Sequence, residues 1–304
     1  MIFNPEYFMN EVLEKFLLYL ATERGLSTNY QLSTRASLER FLNWLKDEAG
    51  IVNEREVTNK HLHDFLTAEK KRGLAPTSLK LEVVALRIFF RFLAGRGLIS
   101  SDPAEKLPLP RLSQSLPQPL SPPDMERLLA APSEKDELSL RDRAILELLY
   151  ASGLRISELC QARLEHLDLE EGIIRVTGKG NKTRLVPVGQ SALNALNDYL
   201  NVGRPKLLSP KSGAAIFLSV RGHSLTPARI WQLVQHYSKQ AGLSAAVHPH
   251  QLRHSFATHL LSGGADLRII QEMLGHASIA TTQIYTQVDR TQLKKIHHQF
   301  HPRG

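Results

Sequence analysis

The sequence predicts a mostly helical protein of two domains, with one small β-sheet in the second. Three observations lead to this fold class: helical spacing of apolar residues over most of the chain, a proline-rich stretch before its middle, and one hairpin pattern in the second half. The chain has 304 residues, 42% of them apolar, which is long enough for two domains that each bury a core.

The first domain is predicted to be a compact bundle of about four helices over residues 1–106. Its apolar residues recur at steps of three and four, for example at Phe16 and Leu20. Ser27 and Thr77 are of the residue types that cap helix N-termini.

A proline-rich connector is predicted over residues 107–122. Such a density of prolines prevents a regular helix or strand ladder. The prolines between residues 102 and 124 are Pro103, Pro108, Pro110, Pro117, Pro119, Pro122 and Pro123.

The second domain, residues 123–304, is predicted to be helical around one β-hairpin. Two β-branched runs at 173–177 and 184–188 are joined by the glycine-flanked turn 178–182. Apolar residues before and after the hairpin again have helical spacing.

Positive charge is concentrated in the second domain. The chain has 38 Lys and Arg against 30 Asp and Glu, a formal charge of +8. Residues 1–110 carry 15 basic and 14 acidic side chains, which leaves 23 and 16, or +7, for residues 111–304. A basic domain favours a polyanionic partner such as a nucleic acid.

The single cysteine, Cys160, excludes an intramolecular disulfide framework and is typical of a reducing compartment. The N-terminal region contains acidic residues around a short apolar run, which fits neither a signal peptide nor a membrane span. We expect a cytoplasmic protein with no membrane contact.

Two arginines and a lysine lie where their side chains can reach an anion. Arg155 follows a predicted helix end at Gly153, and Arg253 lies in the first turns of a helix. A guanidinium can donate two parallel hydrogen bonds to a phosphate and remains charged at neutral pH. Lys179 lies in the hairpin turn, where a general acid would have room to move. Taken singly, each of these cations is more often a surface side chain.

Two histidines and a tyrosine complete the set. His250 lies three residues before Arg253, on the same helical face, and His276 precedes Tyr285 by nine residues. The spacing of His250 and His254 also suits zinc, but Gln251 stands where a metalloprotease has its carboxylate base, so we predict no metal. Residues of these types could together carry out metal-free transesterification at a phosphodiester.

The chain resembles the tyrosine recombinases, and among them the bacterial Xer site-specific recombinases. Residues 151–159 resemble the family's first arginine motif, 178–182 its lysine turn, 248–259 its His-x-x-Arg box and 274–285 its terminal box. The resemblance covers essentially the whole chain, and the tail at 297–303 is similar to the XerD-type branch rather than to XerC.

This resemblance implies a SAM-like DNA-binding domain of four helices followed by the α+β catalytic domain of tyrosine recombinases. It implies that Tyr285 attacks a DNA phosphate to give a 3′-phosphotyrosine while Lys179 protonates the leaving 5′-hydroxyl. The other implied catalytic residues stabilise the transition state or accept the nucleophile's proton, and they are Arg155, His250, Arg253 and His276. Neither a cofactor nor a metal is implied.

The implied partner is double-stranded DNA with a dif-like site, bound by a homo- or heterotetramer that can include a XerC-type recombinase and be activated by an FtsK-type translocase. Residues 289–300 resemble the helix that packs into a neighbouring subunit in this family, with docking onto its own domain as the alternative. Candidate DNA contacts are Lys80, Arg87, Arg91, Thr226 and Arg229. For the first three, which share one helix of the first domain, a solvated surface is an equal alternative.

The predicted function is therefore site-specific DNA strand exchange that resolves chromosome dimers. Within the enzyme class, the alternatives are a mobile-element integrase or excisionase and a type IB topoisomerase. Outside it, the alternative is a DNA-binding protein that has the fold without the activity.

Overall fold

The computed structural model describes residues 5–110, 118–178, 183–243, 247–275 and 287–304. The chain divides into two compact units, residues Met1–Gln114 and Ser115–Gly304. The break between them falls within the predicted connector at 107–122. In the described ranges no helix combines the length and apolar character needed to cross a membrane.

The first unit is helical, as predicted. Its core is rich in aromatic side chains, with the ring of Phe16 5.2 Å from that of Phe89 and the ring of Phe41 5.1 Å from that of Phe65. The helices are α1 (Pro5–Thr22), α2 (Thr28–Ala49), α3 (Asn59–Lys71) and α4 (Pro76–Gly95).

Local capping explains where two of these helices begin. Ser27 is the N-cap of α2, and its side-chain oxygen accepts a hydrogen bond from the backbone N–H of Tyr30. The N-cap predicted at Thr77 is wrong, because α4 begins at Pro76 with Ala75 as its N-cap. Proline is favoured in the first turn, where its missing N–H is not needed.

The second unit surrounds α6, which is fully buried from residue 144 to residue 152. Asp136 caps its start by accepting hydrogen bonds from two backbone N–H groups, and Gly153 ends it in the left-handed conformation. The helices of this unit are α5 (Pro122–Ala130), α6 (Glu137–Ser152), α7 (Ile156–Cys160), α8 (Gln190–Asp198), α9 (Arg204–Leu207), α10 (Pro227–Gln240), α11 (Pro249–Gly263), α12 (Leu267–Leu274) and α13 (Gln287–Phe300).

The sheet is antiparallel and has the order β1 (Leu167–Asp168), β2 (Ile173–Thr177), β3 (Thr183–Pro187). In the β2–β3 pair, Ile174 lies opposite Val186, and both are buried. The hairpin agrees with the sequence prediction, whereas β1 has no counterpart in it, because two residues are too few to show a strand pattern.

The end of the proline-rich segment packs along α11. The backbone N–H of Leu120 donates to Ser255 Oγ at 2.9 Å, and His259 Nε2 donates to the Leu120 carbonyl at 2.9 Å. Gln251 Nε2 donates to the carbonyl of Gln118 at 2.7 Å. Residues 118–120 are thus bound to the helix that carries His250 and Arg253.

The C-terminal helix α13 packs onto its own domain in this structure. Leu293 is buried, and His297 Nε2 donates to the Ala151 carbonyl at the end of α6 at 2.7 Å. Beyond the helix, Arg303 pairs with the buried carboxylate of Glu147.

Candidate active site

Arg155 is placed by the sharp end of α6. Gly153 has a φ of 57°, which turns the chain so that Arg155 becomes the N-cap of α7. Its backbone N–H donates to Glu158 Oε2 at 2.8 Å and its Nη1 donates to Glu158 Oε1 at 2.9 Å. The Arg155 side chain remains 40% exposed, so solvent can reach it.

Arg253 approaches the same place from α11. It is only 8% exposed, and its two terminal nitrogens donate to the carbonyls of Gly153 and Leu274, the latter at 2.6 Å. Leu252 and Phe256, its neighbours on α11, are fully buried in the core, which fixes the rotation of the helix.

A third guanidinium, that of Arg184 on β3, completes the cluster. It is 5% exposed, and its Nη1 and Nη2 donate to Glu158 Oε1 and Oε2 at 2.7 and 2.9 Å. Its Nε donates to the carbonyl of Met273 at 2.7 Å. Glu158, which is 4% exposed, therefore binds two arginines at once.

The C-terminus of α12 joins the three arginines. Its carbonyls at Met273 and Leu274 accept hydrogen bonds from Arg184 and Arg253, and the carbonyl of Gly275 accepts one from Arg155 at 3.4 Å. Helix C-termini leave carbonyls without helical partners and carry partial negative charge, so cations stabilise them. The arginine cluster thus fixes the chain directly before His276.

The cluster has an excess of positive charge. Burial and the neighbouring charges of Arg155 and Arg184 lower the pKa of Arg253 to about 9. Burial alone would raise the pKa of Glu158, but hydrogen bonds from Arg184 and the charges of both arginines outweigh it and leave that pKa below its usual value. Three guanidinium groups against one carboxylate favour an anion.

His250 is exposed in the first turn of α11, three residues before Arg253. The structure therefore brings Arg155 and Arg253 together and keeps His250 on the same helix. Lys179, His276 and Tyr285 lie outside the described residues. Within the described ranges, no three His, Cys, Asp or Glu side chains are arranged as metal ligands.

The candidate DNA contacts have different surroundings. On α4, Lys80 is half-buried and Arg91 is exposed, whereas Arg87 donates from Nη2 to the Leu107 carbonyl at 2.5 Å and so is partly engaged within its own unit. Thr226 is the N-cap of α10 and accepts a hydrogen bond from the backbone N–H of Arg229. The side chains of Thr226 and Arg229 are both exposed.

A basic cleft of about 660 Å³ lies beside Glu158 and the end of β2. Arg163 is paired with Glu165 there, at 2.7 Å. The other basic side chains that line the cleft are His166, Arg175, Lys211 and His223. Cys160 also lines the cleft, and burial raises the pKa of its thiol to about 11, which makes it unreactive at neutral pH.

Sequence reasoning missed Glu158 and Arg184. A signal for Arg184 was present: it shares a face of β3 with Val186, which is fully buried, and a charge in that register needs a buried partner. Glu158 follows Arg155 by three residues, the spacing of neighbours on a helix.

Comparisons with known proteins agree with this fold. Residues 118–292 match the model of the phage integrase family, and residues 13–97 match its N-terminal SAM-like domain. The chain belongs to the phage integrase family, whose members are the tyrosine recombinases. It is a tyrosine site-specific recombinase, and the predicted fold class is confirmed.

Relatives of the Xer type match over almost the full length. The chain is 40% identical to tyrosine recombinase XerD of Listeria innocua over 97% of its own residues and 100% of that protein. It is 43% identical to tyrosine recombinase XerD of Proteus mirabilis, over 96% and 93%. A structure of the XerH site-specific recombinase bound to palindromic difH substrate, a post-cleavage complex, is similar with a TM-score of 0.67, 25% identity and coverage of 90% and 80%.

Proposed function

We propose that this protein exchanges DNA strands by metal- and ATP-independent transesterification through a covalent 3′-phosphotyrosine. Tyr285 attacks the scissile phosphate, and the 5′-hydroxyl leaves with a proton from Lys179. The 5′-hydroxyl of a second strand then attacks the phosphotyrosine and releases the tyrosine. The phosphodiester energy stays in the protein–DNA ester, so the sum of the two steps needs no nucleotide.

The main observation behind this proposal is that Arg155 and Arg253 lie together in a cluster with net positive charge. A phosphoryl transfer passes through a state whose negative charge is spread over the non-bridging oxygens. Two guanidinium groups held by buried contacts are preorganised to stabilise that charge. The contacts described for Arg155 and Arg253 use two side-chain nitrogens of each, while a guanidinium has five N–H donors.

The remaining roles follow from side-chain chemistry and from the family. We assign His250 as the base or hydrogen-bond partner of the nucleophile and His276 as a further donor to the phosphate. A phenol has a pKa near 10, so the nucleophile needs a proton acceptor at neutral pH.

We further propose double-stranded DNA with a dif-like site as the substrate, and resolution of chromosome dimers in the cytoplasm as the biological role. Support comes from the near full-length similarity to XerD proteins and from the XerH relative, whose structure holds a difH substrate. The family also suggests a tetramer on DNA, a XerC-type partner and an FtsK-type activator. The net charge of +7 in residues 111–304 fits a polyanion.

A DNA duplex with a nick next to the cleavage site tests the chemistry, because the short fragment diffuses away and traps the adduct. We expect the wild type to form a covalent protein–DNA adduct in EDTA and without ATP, and Tyr285→Phe to form none. An adduct from Tyr285→Phe would refute the assigned nucleophile, and its absence from the wild type would refute the enzymatic mechanism.

Selection of the bound DNA at physiological salt tests the site preference. A recombinase should enrich one sequence with two inverted half-sites, whereas a topoisomerase should enrich little. Two unlike half-sites would favour a heterotetramer with a second recombinase.

A further inference from the structure

Arg184 is a buried guanidinium to which the proposed reaction assigns no role. It contacts Glu158 with two parallel hydrogen bonds of 2.7 and 2.9 Å and the end of α12 with a third. Such a bidentate pair is the strongest arrangement of an arginine with a carboxylate. It reaches the site from β3, the strand that follows the Lys179 turn in the chain.

Glu158 is the carboxylate that Arg155 also contacts. Because Arg184 binds both oxygens of Glu158, Arg155 makes a single side-chain hydrogen bond to it, from Nη1 to Oε1 at 2.9 Å. The Arg155 side chain is 40% exposed. Without Arg184, Arg155 would be the one cation of the cluster left to the buried Glu158 carboxylate. Besides its bond from the Arg155 backbone N–H, that carboxylate could then accept both arms of the Arg155 fork.

We propose that Arg184 is a positioning residue: it binds Glu158 so that the guanidinium of Arg155 keeps donors available for the reacting phosphate. This inference rests on the proposed function, in which Arg155 stabilises the transition state. Arg184 itself need not touch DNA.

The close packing around Arg184 supports a fixed position for its side chain. A Cβ added to Gly275 would lie 3.0 Å from Arg184 Cδ and 3.2 Å from its Nε and Nη1. Gly275 also has a φ of 65°, which a side chain disfavours. The Arg184 side chain therefore packs against Gly275, the residue before His276.

The test is a double-mutant cycle of Arg184→Met and Glu158→Gln in the full-length protein. The measured quantity is the single-turnover rate of adduct formation on the nicked duplex at saturating DNA, with the Kd for uncleaved DNA measured in parallel. We expect Arg184→Met to slow adduct formation about 100-fold, as small misplacements of catalytic groups do, with the Kd changed less than about threefold. In the Glu158→Gln background the same substitution should slow it less than about tenfold, because a neutral amide at this position does not hold Arg155 as a carboxylate does.

Arg204→Met is the matched control. Arg204 is a buried arginine of the same domain that donates to backbone carbonyls, among them Ala215 at 2.9 Å, and it makes none of the contacts described for Glu158. Its loss should lower thermal stability while the rate per folded molecule is unchanged. If Arg184→Met does not fold, the rate of adduct formation is compared between Arg184→Lys and the double variant. The double variant has no unpaired buried carboxylate, which favours its folding.

Equal effects of Arg184→Met in the two backgrounds would overturn the inference, as would a change in Kd alone. A lysine variant that restores the full rate would also overturn it, because lysine lacks the bidentate fork. If the wild type forms no adduct, the proposed function is refuted. If the wild type forms the adduct and Arg184→Met forms it at the same rate, only the role inferred for Arg184 is refuted.

Discussion

At the residue scale, the site depends on how each arginine divides its donors between the protein and a ligand. Arg253 is buried and donates to two carbonyls, whereas Arg155 is partly exposed and shares a carboxylate with Arg184. Arg253 is thus a fixed donor. A bound phosphate would add negative charge to that of Glu158, which should raise the lowered pKa of Arg253 again.

We predict that Arg253→Lys reduces the rate of adduct formation by about 10²- to 10³-fold, the typical cost of one lost transition-state donor. A lysine cannot hold the carbonyls of Gly153 and Leu274 and also present a planar fork. Single-turnover cleavage of the nicked duplex measures this. Arg127→Lys, at an exposed pair with Asp124, should have the wild-type rate. An unchanged rate for Arg253→Lys would contradict the prediction.

We predict that Gly153→Ala destabilises the protein by about 3 kcal/mol, because it adds a strained left-handed residue and an overpacked core contact. The new Cβ would lie 2.5 Å from the ring of Phe256. Gly242→Ala is the control, since Gly242 has a φ of 65° with no atom within 4 Å of an added Cβ. Urea unfolding should give a smaller loss for Gly242→Ala, and equal losses would contradict the packing argument.

At the scale of elements, α13 is held by histidines that must be neutral. Burial lowers the pKa of His297 to about 4, although the hydrogen bond to the Ala151 carbonyl acts in the opposite direction. His301 stacks on His297 with the ring centres 4.7 Å apart, and burial and the other histidines lower its pKa as well. The unfolded chain binds protons at a higher pH than the folded one does. The stability from these groups is therefore complete above about pH 6.5 and is lost as the pH falls toward 4.

Between pH 6.5 and 4.5 the free energy of unfolding should fall with falling pH. We predict that His297→Gln makes this slope smaller by about 1.4 kcal/mol per pH unit. A glutamine keeps a donor for the Ala151 carbonyl but does not titrate. Unfolding in urea at a series of pH values measures the slope. His298→Gln, on the exposed face of the same helix, should keep the wild-type slope, and an equally steep slope for both variants would refute the prediction.

At the scale of the whole molecule, the proline-rich connector ends inside the second unit. Leu120 is 8% exposed and belongs to the core of that unit, and its backbone bonds to Ser255 and His259. A domain boundary drawn at residue 122 from proline density would separate these contacts. A boundary at residue 115 keeps them.

We predict that a fragment of residues 115–304 unfolds cooperatively and is about 3 kcal/mol more stable than one of residues 122–304. Burial of a leucine contributes about 2 kcal/mol and a hydrogen bond about 1 kcal/mol. Urea unfolding of the two fragments gives the difference. Leu120→Ala in the longer fragment should lose most of the leucine contribution, and equal stability of the two fragments would show that residues 118–120 do not stabilise the domain.

Much of this protein was determined by the sequence alone, because the relevant signals are local. Helical periodicity, the hairpin turn and the prolines predicted the fold class, and capping chemistry identified Ser27. The motifs around Arg155 and Arg253 resemble those of the family, and this resemblance implied its chemistry. The exception at Thr77 is also local, since Pro76 competes for the start of the same helix.

Only the tertiary structure decided what each arginine binds. Glu158, Arg184 and the carbonyls of Met273 and Leu274 come from separate elements, and hydrogen bonds between distant segments leave no periodic trace in a sequence. The same holds for Leu120, which looks like part of a linker until α11 supplies its partners. The chemistry can be read from the residue types, but the electrostatic balance that supports it depends on which groups the fold buries together.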